Sequence, residues 1–133
     1  MLQTVKLTPK VTEIQIPATE STFRAFIVAT RSGPVLVEEA PGLPVRVDRL
    51  LVHDEEVVPG LRVIHVPGHS RGNIALLLED EGTLLTGDSV FGRGDYADEL
   101  SPPPARYSDD AAQAKESIKI LLRYPFERAI LSH

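Results

Sequence analysis

The sequence predicts an α+β fold that is mostly sheet, a layer structure with a strand-rich sheet and few helices. Three observations lead there. Runs of β-forming residues with period-2 alternation fill most of the chain. Helical spacing is confined to one segment near the C-terminus. Gly- and Pro-containing turn signals separate the strands. Many strands, then one helix, then one strand is the pattern of an α+β layer.

The 133 residues, 42% apolar and 25% charged, make one domain, 1–133, with a core of its own. A net charge of −5 argues against a nucleic-acid partner, because phosphate binding needs a basic surface. The absence of cysteine excludes disulfides, thiolate ligands and a Cys nucleophile, so any metal site must use His and carboxylate. No apolar run reaches the ~18–20 residues of a membrane helix. The opening "MLQTVKLTPK" lacks the apolar core of a signal peptide. The default expectation is a cytoplasmic protein with no membrane partner.

The elements follow in order. "VTEIQI" (Val11–Ile16) alternates as a half-buried strand, "TFRAFIVAT" (Thr22–Thr30) is rich in β-formers, and "GPVLVEE" holds a short buried run at Val35–Val37. "APGLPVRVDRLL" carries two prolines and then turns strand-like. Pro59-Gly60 breaks "EEVVPGLRVIHV" into two strands, and "EDEG" is the loop of a second hairpin in "NIALLLEDEGTLLTGD". Val63–Val66, Ile74–Leu78 and Thr83–Thr86 should be neighbouring strands. Phe91 to Tyr107, with its glycines and consecutive prolines, reads as a loop of roughly 15 residues. A helix over Ser108–Tyr124 follows, with Ser108 as N-cap, an apolar face of Ala111, Ala114, Ile118, Leu121 and Leu122, and a stop at Pro125. "RAILSH" is a last strand ending at His133.

Three strand ends carry chemistry. His69 follows the break at Pro67-Gly68, Asp88 follows "TLLTG", and His133 follows "AILS". Each alone reads as a turn residue. Together, two imidazoles and a carboxylate are a competent ligand set for zinc with one position open to water. Loop residues at the ends of a rigid sheet are where such groups are commonly presented.

The stretch "VIHVPGHSRGNIALLLEDEGTLLTGDSVF" resembles the middle of the metallo-β-lactamase-fold superfamily, whose members carry Pro-Gly-His-Ser/Thr, a hairpin and Gly-Asp, and end a later strand on a His. The likeness runs from Asp48 to His133. It implies a metallo-β-lactamase-like sandwich and a metal-dependent hydrolase acting on a small-molecule ester, thioester or phosphoester. Carried over by position, His69 is a ligand of the first metal, Asp88 bridges both metals, and His133 is a ligand of the second. Asp88 is also the catalytic residue, holding and orienting the attacking water. His65 and His53 match no ligand position and read as structural and exposed, respectively.

The sequence departs from the family in lacking any His-x-His-x-Asp-His run. The resemblance places that run where "FIVAT" here passes to "GPVLVEE" through a few residues, so the chain reads as truncated by about fifty residues. It also stops at His133, where relatives continue into another helix. With three ligand positions left, the expectation is a single zinc ion, bound modestly. The alternative is a non-catalytic member of the fold, serving binding or assembly; a third reading is an internal stretch missing from the chain. Loss of covering helices would bare apolar strand faces, which predicts a homo-oligomer. "GRGDYADE" has no following helix or Lys and is not a phosphate loop, and Ser70 lacks a nucleophile elbow and reads as a turn residue. Glu38-Glu39 and Glu55-Glu56 are solvated strand ends.

Overall fold

A computed structural model describes residues 3–17, 22–38, 48–93 and 99–131, which form two compact units, 1–50 and 51–133. The first is an antiparallel meander of β1 (Gln3–Thr8), β2 (Val11–Pro17), β3 (Thr22–Thr30) and β4 (Gly33–Glu38), in sequential order. β2, β3 and β4 stand where the sequence predicts them, but the run Val35–Val37 expected to be buried is not: Leu36 is 58% exposed and its neighbours are half-buried. β1 is an additional strand. The Thr8 hydroxyl closes the β1–β2 turn by accepting from the Lys10 and Val11 amides at 3.2 and 3.0 Å.

The passage from β3 to β4, expected as the site of a missing segment, is a tight hairpin. Its register runs unbroken from Ala25↔Glu38 to Thr30↔Gly33. Thr30 Oγ1 donates to Gly33 O at 2.7 Å and accepts from Ser32 N at 3.2 Å, and Gly33 takes φ 110°, a value open to glycine. On one face of this sheet the pairs Val11↔Val28 and Glu13↔Phe26 are buried. A carboxylate at that depth needs partners. Arg24 Nη2 supplies one at 2.6 Å and Gln15 Nε2 another at 2.9 Å. The hydrogen bond from Arg24 holds the Glu13 carboxyl below its ordinary value, against the opposing effect of burial.

The second unit is a five-stranded sheet. β5 (Glu56–Val58), β6 (Leu61–His65), β7 (Ile74–Leu78) and β8 (Thr83–Leu85) run antiparallel, and the turns at Gly60 and Gly82 adopt φ 87° and 63°. Residues 48–51, within the segment expected to turn strand-like, are not strand, and residues 39–47 lie outside the described residues. After β8 come β9 (Phe91–Arg93) and β10 (Glu99–Ser101), a two-stranded ribbon inside the segment expected to be all loop. The helix α1 (Ala111–Leu121) then returns the chain to β11 (Arg128–Ile130), which pairs with β8 in parallel.

α1 is shorter than the Ser108–Tyr124 expectation, and its N-cap is Asp110, whose carboxylate accepts from Gln113 N at 3.0 Å. Its buried positions are Ala114, Ser117 and Leu121, whereas Leu122, expected on the apolar face, is 78% exposed. The helix packs on one face of the sheet: Leu121 joins Ile64, Val66, Ala75, Leu77 and Leu84 in a single core cluster. Burying each Leu or Ile there contributes about 1.5–3 kcal/mol. Leu61, Val63, Leu76, Leu78 and Leu85, of the opposite parity, are buried as well. Burial on both faces is why "IALLL" is a continuous apolar run rather than an alternating one. Among the described residues no helix is long and apolar enough to cross a membrane.

Candidate metal centre

The turn that carries His69 starts where the β6–β7 ladder stops, one step past His65↔Ile74. Val66 N donates to Asn73 O at 2.9 Å, and Pro67 then offers no amide to continue the ladder. Gly68 sits at φ 137°, and a Cβ there would lie 2.2 Å from Ala114 N of α1. Only glycine lets the turn approach the helix this closely. The turn is fastened to the residues that open α1: Asp110 N donates to Gly68 O at 2.9 Å and Asp109 N to His69 O at 3.1 Å. Ser70 acts through its backbone, its carbonyl accepting from Gly68 N at 3.0 Å, in line with its expected turn role.

Asp88 leaves the adjacent part of the sheet. Beyond β8, Thr86 N donates to Ile130 O at 3.0 Å, and Gly87 turns the chain at φ 57° with its α-carbon against Ile74 O, where a Cβ would come within 2.5 Å. One turn of 3-10 helix, Gly87–Ser89, then presents Asp88. Asp88 N donates to Asn73 Oδ1 at 3.3 Å.

His69 Nε2 and Asp88 Oδ2 lie 3.3 Å apart, with the side chains 23% and 18% exposed. Two donors each about 2.05 Å from a tetrahedral zinc would stand about 3.3–3.4 Å from one another, so the pair has the spacing of two ligands on one ion. His69 Nδ1 is buried and has no hydrogen-bond partner among the described residues. The ring lies against Phe91, at 6.2 Å between centroids. A polar cleft of about 460 Å³, lined by Gly68, Ser70, Arg71, Asp109, Asp110 and Gln113, opens beside the turn.

His133 lies outside the described residues. The register Ile130↔Leu85 brings the end of β11 to the rim from which Asp88 emerges. Among the described residues no group of three or more His, Asp or Glu stands close enough to hold a metal. His65 and His53 stay out of the pair. The His65 amide donates to His53 Nδ1 at 3.0 Å, and the His65 ring meets Arg71 O at 2.7 Å. His53 is exposed, as expected, but its Nε2 is 3.4 Å from the Tyr124 hydroxyl, which donates to Asp54 Oδ1 at 2.8 Å. Burial, with Asp54 beside it, pushes the Tyr124 hydroxyl above its ordinary value. Sequence reasoning missed Asn73, whose side chain touches both turns. Its one signal is a polar residue at the mouth of an otherwise apolar strand.

Part of the chain is similar to curated enzymes. An N-acyl homoserine lactonase of Bacillus cereus is 38% identical over 76 residues, 55% of this chain and 29% of the lactonase. An atrochrysone carboxyl ACP thioesterase of Aspergillus fumigatus is 30% identical over 71 residues, 53% of this chain and 16% of the thioesterase. The matches thus span under a third of either relative's length. In fold, the chain is similar to a crystal structure of TTHA1623 in a di-iron-bound form, with a TM-score of 0.61, 17% identity, and coverage of 90% of this chain and 91% of that one. The family model of the metallo-beta-lactamase superfamily matches residues 4–133, and with the sheet, the helix and the two converging turns in place the chain belongs to that superfamily.

Proposed function

We propose that the chain is a metal-dependent hydrolase of an ester, thioester or phosphoester, with His69 and Asp88 as ligands of a single zinc ion and His133 as the third ligand carried over from the family pattern. The observation that carries this reading is the 3.3 Å approach of His69 Nε2 to Asp88 Oδ2 on two turns that glycines hold in place. Bound there, zinc would supply Lewis acidity and bring the pKa of a coordinated water to about 7, so no separate side-chain base is required. The protein's own contribution is positional. Asp88 would hold and orient the water and His69 would help to hold the ion, on the turn beside which the polar cleft at Arg71 opens. Similarity to a lactonase and a thioesterase supports an acyl ester or thioester ahead of a phosphoester.

A second reading, a non-catalytic binding or assembly member, is favoured by the absence of the His-x-His-x-Asp-His run. One set of measurements separates the two. Purified chain is loaded with zinc, its metal content and affinity are measured, and turnover is assayed on a lactone, a thioester and a phosphodiester. The hydrolase reading expects one zinc per chain, turnover of at least one substrate, and loss of both in Asp88→Ala. Zinc without turnover selects the non-catalytic reading, and no zinc at all removes the hydrolase.

A further inference from the structure

We propose that Asn73 is the positioning residue of the His69–Asp88 pair: one side-chain amide clamps the two ligand turns together and sets the separation of their donors. This inference rests on the metal-centre reading above. Asn73 Nδ2 donates to Val66 O and to Ser89 Oγ, each at 2.9 Å, while Oδ1 accepts from Asp88 N at 3.3 Å. Val66 opens the turn that carries His69, and Ser89 follows Asp88 directly. An uncharged amide offers two donor hydrogens and an acceptor on one planar group, which a hydroxyl or a carboxylate cannot do.

The surroundings leave the clamp little play. Val66 N also donates to Asn73 O, so backbone and side chain of Asn73 together extend the β6–β7 pairing one step beyond the strand. Ser89 is 2% exposed, so its bond with the amide is shielded from water. Gly87 is pressed on the same spot: an added Cβ would stand 3.5 Å from Asn73 Oδ1 and 2.5 Å from Ile74 O. The Asp88 turn therefore lies directly on the amide, and loss of the amide frees it from the His69 turn. A merely structural asparagine would lower stability and leave the pair where it is.

The test uses the full chain and compares Asn73→Ala and Ser89→Ala with Tyr124→Phe, which loses the bond to Asp54 away from the pair. Two quantities are read. One is zinc affinity by competition with a chromophoric chelator. The other, in metal-free protein, is the nuclear Overhauser contact between the His69 ring and the Asp88 β protons. Asn73→Ala should weaken zinc binding roughly 10- to 100-fold, the range for residues that support ligands, and abolish the contact. Ser89→Ala removes one of the three bonds and should weaken both measurably but less. Tyr124→Phe should lower the melting temperature and change neither. An Asn73→Ala protein that melts earlier yet keeps the contact and the affinity overturns the proposal. If wild-type protein binds no zinc, the hydrolase reading falls and the proton contact alone decides the role of Asn73. If Asn73→Ala does not fold, Ser89→Ala decides it.

Discussion

At residue 68 a single methyl group is decisive. The φ of 137° is strained for any L side chain, and the methyl would lie 2.2 Å from the Ala114 amide nitrogen, inside the backbone of α1. Strain and overpacking act together, so Gly68→Ala should cost about 2–4 kcal/mol in urea denaturation. Gly72, four residues on, has open space around its Cβ position, and Gly72→Ala should stay within about 0.5 kcal/mol of wild type. Equal losses at the two positions would show that the turn is not seated on the helix as described. Pro67-Gly68-His69 and Gly87-Asp88 were legible in the sequence because the end of a strand followed by a His or an Asp is a local pattern. Asn73 was not: its meaning lies in reaching Asp88, 15 residues away in sequence. The contact of His65 with His53 is of the same kind, joining residues 12 apart.

At the scale of elements, the start of α1 shows tertiary bonds overruling local preference. Ser108, Asp109 and Asp110 are all good N-cap types. The amides of Asp109 and Asp110 are committed to His69 O and Gly68 O, so the helix begins only after them and Asp110 caps it. Asp110→Ala should therefore cost about 1 kcal/mol, read as a lowered urea midpoint at unchanged slope. No loss would mean that the carboxylate does not cap Gln113. Strands with one or two buried faces were readable, as Ile74–Leu78 shows. β1 was not, because residues 3–7 are exposed throughout and only Val5 and Leu7 alternate there, too few to mark a strand. β9 and β10 were hidden by their shortness, three residues each, between glycines and prolines.

At the scale of the molecule, acid should weaken the Glu13–Arg24 pair of the N-terminal sheet. The folded carboxyl titrates below its ordinary 4.5, so its stabilising contribution is fully present above that pH and is lost as pH falls through the lower folded value. Arg24 is 31% exposed, which screens the pair, so Glu13→Gln should cost about 1–3 kcal/mol at pH 7. The gap between variant and wild type should narrow below pH 4.5, and a gap that is constant with pH would exclude the carboxylate as its source. The sheet order β11-β8-β7-β6-β5 has another outcome. β11 is an edge strand of three residues, with Arg128 and Ala129 exposed, yet it receives the amide of Thr86, itself only 2% exposed. A short edge can detach while the interior ladder stays closed. Deuterium should therefore enter at the Thr86 amide well before it enters the middle of β7, although both are hidden from water. The rim that presents Asp88 would then breathe on its own, and a ligand gripping that rim would slow uptake at Thr86 while leaving β7 untouched.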